Sequence, residues 1–208
     1  MALLVIGSCA AATIAQPKGL RVCTNTACRK GGSSDTLSLL QALASTAPVP
    51  SARAPKGITA AALQQAHACA KVEGCGCLGG CGSGPNVASV ATGEIFHDIY
   101  KPVTAQALLE AELGLNVPDA ATKAYLKKMY ADRSLRSNQP REAINLLTAA
   151  LNEAGTLRAQ AAYLLGILLE QRANVYESLA DLEAAAADRK TAGRMLSMPP
   201  ETDVLPAR

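Results

Sequence analysis

The sequence predicts an α+β protein in two parts: a small mixed unit of strands and helices over residues 20–113, and an all-helical unit over 119–198. Three observations carry this reading. Strand-length apolar stretches alternate with helical ones only before residue 114. Beyond Pro118 every segment reads as helix. All seven cysteines lie at or before Cys81, so the chemistry-bearing residues belong to the first part.

In order, residues 1–19 read as a disordered extension, rich in Ala and small apolar residues and containing Cys9. They lack the positive n-region of a secretory signal and the Arg-richness of a transit peptide, though they carry no acid. A remnant of organelle targeting is the other open reading. Leu20–Cys23 is a strand, followed by a loop carrying Cys28. Gly31–Asp35 is a helix entry with serine as N-cap, and the helix runs to about Ser45. Ala47–Pro55, with three prolines in nine residues, is a loop. A second helix is expected from Thr59 to Ala70, and a second strand from Ala70 to Gly76. Asn86–Ala91 and Glu94–Tyr100 form a hairpin across Thr92-Gly93. On the second strand of that hairpin, Ile95, His97 and Ile99 share one face and Phe96, Asp98 and Tyr100 the other. Thr104 caps a helix to about Leu113 with Leu108 and Leu109 inward, and Gly114–Pro118 is a linker.

Bulk properties exclude several classes. The formal net charge is +3 over 208 residues, with 20 basic and 17 acidic side chains, so neither nucleic acid nor an anionic membrane surface is an expected partner. No apolar run approaches the roughly 18 residues of a membrane span. An odd cysteine count crowded into one region is unlike a secreted disulfide scaffold and fits metal binding in an intracellular reducing compartment. The Ala-rich composition is reminiscent of chloroplast proteins, which makes that organelle one expected location.

The densest signal is Cys75-Gly-Cys77-Leu-Gly-Gly-Cys81-Gly-Ser-Gly-Pro85-Asn86, with three thiols and five glycines in twelve residues. Glycines let backbone N–H groups approach a bulky anion without side chains in the way. With Cys23-x4-Cys28 upstream, the chain offers two thiol pairs, Cys23/Cys28 and Cys77/Cys81. Soft thiolates are the ligands that iron–sulfur clusters and zinc select. The reading adopted is a [2Fe–2S] cluster on Cys23, Cys28, Cys77 and Cys81, with zinc as the rival occupant. A thioredoxin-type disulfide enzyme needs C-x-x-C at a helix start, and the sequence has no such pair. Cys75 competes with Cys77 for one ligand position. Its expected place at a strand end favours Cys77, where the glycine loop begins. Cys9 and Cys69 read as bystanders, and His67 and His97 as structural residues. Tyr125, Tyr130, Tyr163 and Tyr176 read as packing residues.

This pattern resembles the thioredoxin-like [2Fe–2S] ferredoxins and the related small flavoprotein-side subunit of respiratory complex I. That family carries C-x4-C after its first strand and C-x3-C after its second. Arg29-Lys30-Gly31 and Gly84-Pro85 also match it. Plant-type ferredoxins need a further cysteine where Gly31 stands. The resemblance covers about half the chain and implies a thioredoxin-like fold over residues 20–113, ligation by the same four cysteines, and one-electron transfer.

In the helical part, Asn138–Ala150 aligns with Ala180–Ala192 at an offset of 42, matching Ala143 and Ala150 to Ala185 and Ala192. Small residues at such places let paired helices approach. Together with Ala173 and Tyr176 they resemble a tetratricopeptide-type pair of hairpins, although Arg172 stands where a leucine is usual. An ordinary four-helix array is the simpler alternative. Residues 199–208 form a tail. No nucleophile–base set or phosphate loop is present, so a non-enzymatic electron carrier or redox subunit is expected, with the helices holding a redox partner or client protein. The alternative is a scaffold or assembly factor whose cluster is structural or redox-sensing.

Overall fold

The computed structural model describes residues 18–47 and 71–197. Residues 1–17 of the expected N-terminal extension, the Ala47–Pro55 loop beyond Ala47, the Thr59–Ala70 helix, the C-terminal tail, Cys9, Cys69 and His67 lie outside them, while Gly19, expected in the extension, begins the first strand. The architecture is α+β, a mixed four-stranded sheet and seven α-helices among the described residues.

Strand β1 (Gly19–Cys23) lies inside the sheet, whose order is β2-β1-β3-β4. Its buried Leu20 and Val22 flank the exposed Arg21, the alternation of a half-covered strand. Strand β2 (Lys71–Cys75) runs parallel to β1, with Cys23 opposite Cys75. Strands β3 (Val87–Ser89) and β4 (Ile95–Phe96) follow antiparallel. Between β1 and β2 come helix α1 (Thr26–Lys30) and helix α2 (Ser33–Ala44). Helix α2 buries Leu39, Leu40 and Leu43 and packs on β1 and β2. It is pinned by Gln41 Nε2 donating to Val72 O (3.1 Å) and Thr36 Oγ1 donating to Ile99 O (2.7 Å).

Helix α3 (Pro102–Leu108) continues into a π-helical turn, Leu109–Leu113, that ends at Gly114 with φ 68°. Leu108 and Leu113 are five residues apart, a spacing that a wider turn returns to one side; both are buried, with Leu109. Helices α4 (Asp119–Arg136), α5 (Pro140–Gly155), α6 (Ala162–Ser178) and α7 (Leu182–Ser197) pack in sequence, with a short 3₁₀ turn at Arg158–Ala161.

The 42-residue offset is visible in the turns. Asn138 and Ala180 are both left-handed, with φ 56° and 61°. Gln139 N donates to Ser134 O and Asp181 N to Tyr176 O, each at 2.9 Å. These are the i→i−5 bonds of a Schellman-type helix end, repeated at equivalent positions. Ala143, Ala150, Ala185 and Ala192 are all buried where the paired helices meet. Arg172 is the departure from an apolar seam. Its Nε and Nη2 hold the two oxygens of Asp188 (2.7 and 2.8 Å), and Nη1 donates to Thr148 Oγ1 (3.0 Å). One guanidinium thereby ties α5, α6 and α7 together, with only 18% and 11% of the paired side chains exposed.

Several expectations are corrected. The first thiol loop is not all loop: Cys28 sits in α1, a single turn with Arg29 N donating to Asn25 O. The N-cap of α2 is Gly32 (φ 93°), not a serine, because the chain reverses between α1 and α2 through a left-handed residue. The α3 cap is Lys101 with Pro102 following, not Thr104. Strand β4 stops at Phe96 because Asp98 (φ 56°) breaks the extended run, so the alternation expected to Tyr100 does not form. Ile99 is nonetheless buried. The segment 114–118 is packed rather than loose. Leu115 and Val117 are buried, and Gln106 bridges Val117 O and Thr122 Oγ1 (3.1 and 2.7 Å). The hydrophobic core therefore runs without a break from Leu20 to Val175. Of the tyrosines read as packing residues, Tyr125 is buried, whereas Tyr130 is half exposed.

Two outcomes follow for stability. Replacing Ala180 by Gly removes a Cβ from a left-handed site and raises unfolding free energy by about 0.5–1 kcal/mol, read from urea midpoints. Asp188→Ala strands the Arg172 guanidinium in the helix packing and lowers it by about 2–4 kcal/mol in the same assay.

Candidate metal centre

Parallel pairing brings the thiols to one end of the sheet. Cys23 is the last residue of β1, and Cys77 follows two residues after β2 ends at Cys75. Thr24 continues the ladder past the strands: its N and Oγ1 both donate to Cys75 O (2.9 and 2.7 Å). Helix α1 carries Cys28, and the glycine loop after β2 carries Cys77 and Cys81. Cys23 and Cys28 are buried, while Cys77 and Cys81 are exposed, with their sulfurs 3.4 Å apart. Cys23 stands opposite Cys75 in the register, so the segment carrying the second pair leaves β2 beside it.

The loop backbone serves the sulfurs. Gly79 N donates to Cys77 Sγ (3.4 Å). Burial works to raise the Cys23 thiol, but bonds from the Asn25 and Leu78 backbone and from the neighbouring thiols outweigh it and hold Cys23 below its usual range. Cys28 is pushed up by its bond to Cys23, by burial and by the Cys23 charge. Cys81 is raised mainly by its contact with Cys77. Glycine is required where backbone and sulfur meet: a Cβ on Gly84 would stand 3.1 Å from Cys28 Sγ, and one on Gly80 2.8 Å from Asn86 Nδ2.

The four cysteines read from the sequence leave the same end of the sheet: Cys77 and Cys81 are in contact, and the Asn86 carboxamide lies against Cys28. Cys75, the competitor, ends the paired strand, with its Sγ donating to Gly76 O (3.4 Å) and its thiol raised by burial and by Cys23. Arg29 and Lys30 are exposed and form no ion pair among the described residues. Two residues at the centre carried no functional reading from sequence. Asn86 is fully buried, and its Nδ2 donates to Gly80 O (2.5 Å) and to Cys28 Sγ (3.8 Å). His97 Nδ1 lies 2.7 Å from Asn86 Oδ1. The only sequence signal for Asn86 was its place directly after Gly84-Pro85, at the end of the glycine loop.

No set of three or more His, Cys, Asp or Glu side chains among the described residues is already arranged to hold a metal ion. No helix among them is long and apolar enough to cross a membrane. No protein-family model, curated protein or solved structure matches the chain. What fold and site define by themselves is an α+β protein with a thiol quartet at the end of a parallel strand pair.

In metal-free reduced protein, alkylation followed by peptide mapping should modify Cys77 and Cys81 at least about tenfold faster than Cys23 and Cys28, since access gates thiol reactivity. Equal rates at all four would show that the buried pair is not enclosed.

Proposed function

We propose that the chain binds one [2Fe–2S] cluster through Cys23, Cys28, Cys77 and Cys81 and serves as a one-electron carrier or redox subunit. In this reading residues 20–113 are a thioredoxin-like ferredoxin unit, and the tetratricopeptide-like hairpins beyond residue 118 hold a redox partner or client protein. The observation that carries it is the convergence of two thiol pairs at the ends of two parallel strands, with loop N–H groups directed at sulfur.

The donor set fits the group. A [2Fe–2S] cluster takes four thiolates and supplies a reversible one-electron couple, tuned by hydrogen bonds to sulfur. The sulfurs in contact must move apart to admit it. Along the glycine loop, Gly76, Gly79 and Gly82 face open space, whereas Gly80 and Gly84 are packed against Asn86 and Cys28. The buried pair, Cys23 and Cys28, is fixed by β1 and α1 and anchors the inner side. The exposed pair, Cys77 and Cys81, puts the other side at the surface, where electron exchange with a partner is short-ranged. The helical hairpins support the partner role through their repeated turns and small-residue seams, which are how helical repeats build a docking surface.

The test is reconstitution under anaerobic conditions, with iron, sulfide and zinc counts and an EPR spectrum after dithionite reduction. Two iron and two sulfide per chain with a reduced-state signal are expected; zinc alone, or no visible absorption, overturns the reading. Cys75→Ser should keep the cluster, whereas Cys77→Ser should lose it or leave a labile, spectrally altered one. The double variant shows whether Cys75 substitutes when Cys77 is missing.

A further inference from the structure

Asn86 joins the end of β1, helix α1 and the glycine loop. Its carbonyl oxygen accepts from Cys23 N (3.0 Å) at the end of β1. Its side-chain Nδ2 donates to Cys28 Sγ and to Gly80 O, one residue before Cys81. The carboxamide is fully buried, so each of these groups replaces a bond to water.

The orientation of that carboxamide is determined. Nδ2 faces two acceptors, a carbonyl and a sulfur. Turning the amide over would set Oδ1 against Gly80 O, two acceptors in contact. Oδ1 instead faces His97 Nδ1, which must then carry the hydrogen. Both the neutral Nδ1–H tautomer and the imidazolium supply it, so the arrangement does not depend on His97 gaining charge. His97 is itself exposed, and a Cβ on Gly80 would come within 3.1 Å of its ring.

We propose that Asn86 is the positioning residue of the cluster site: its carboxamide couples the buried Cys28 sulfur to the loop bearing Cys77 and Cys81, and His97 holds that carboxamide in register. The proposal rests on the cluster reading above. An N–H directed at a ligand sulfur offsets charge gained on reduction, so Asn86 sets potential as well as spacing.

Asn86→Asp is the isosteric test, since it keeps Oδ1 for His97 and removes the amide donors to sulfur and to Gly80. In reconstituted protein it should lower the midpoint potential by at least tenfold in the one-electron equilibrium, about 59 mV. It should also change the iron–cysteine stretching bands in resonance Raman spectra. In metal-free protein it should raise the alkylation rate of Cys28 about tenfold relative to the native chain. The added carboxylate lowers the potential by its charge as well, so the Raman bands, the Cys28 alkylation rate and the uncharged His97→Ala variant separate positioning from charge, and a residue that only stabilised the fold would move the unfolding midpoint and none of these three. If Asn86→Asp does not fold, His97→Ala decides. It lies at the surface, and a smaller potential shift in the same direction is expected, while none overturns the proposal. A folded Asn86→Asp with native potential and native protection of Cys28 overturns the positioning role and leaves the cluster reading intact. Native protein that takes up no iron overturns the cluster reading, and the alkylation rate of Cys28 then decides the role of Asn86 alone.

Discussion

Parallel pairing of Gly19–Cys23 with Lys71–Cys75 is the constraint on which the site depends. Parallel strands end on the same side of a sheet, and here both ends release thiols. The register sets Cys23 opposite Cys75, so the loop after β2 starts beside the last residue of β1. Thr24 extends the ladder one step further through two bonds to Cys75 O. A slip of one residue would turn Leu20 and Val22 out of the core, so the hydrophobic pattern that buries them also fixes where the thiols meet. Antiparallel β3 closes the other flank and brings Asn86 to Cys23 through the same ladder.

The helical part solves a different problem. Of its four tyrosines only Tyr125 is buried, so its seams are built from alanine and leucine, and close approach of helix axes replaces bulk. Gly166 shows the limit: a Cβ there would stand 2.6 Å from Leu196. Such seams bury little area per residue, so geometry must be enforced elsewhere. The repeated left-handed turns at Asn138 and Ala180 set the entry of each second helix, and Arg172 fastens three helices with a paired, hydrogen-bonded charge. The first and second parts meet without a gap, since Leu115 and Val117 sit in the common core and Gln106 joins α3 to α4.

Much of this was legible in the residues. Apolar alternation located β1, heptad-like alanines located the hairpin seams, and cysteine spacing singled out the thiols at the sheet end. Element ends were less legible. Ser33 and Thr104 look like helix caps, yet Gly32 and Lys101 take those places, because a reversal through φ 93° and a proline at N1 outrank side-chain capping. The hairpin after Asn86 was expected to be long, but Asp98 in the left-handed region ends β4 after Phe96, and Ile99 reaches the core from irregular backbone. Gly114 to Pro118 has the composition of a linker, and only the leucine and valine within it reveal that it is buried.

By itself the sequence determined the division into a strand-containing and a helical part, the two thiol pairs, the glycine loop and the 42-residue repeat. Each of these is written in local spacing, which chain geometry converts directly into faces and turns. Tertiary structure alone decided which thiols are enclosed and which open to solvent. It alone placed Asn86 between Cys28, Gly80 and His97. Burial and donor direction depend on residues distant in the chain meeting at one point. No local pattern encodes that meeting, because a buried asparagine and an exposed one are the same letter until the sheet closes around them.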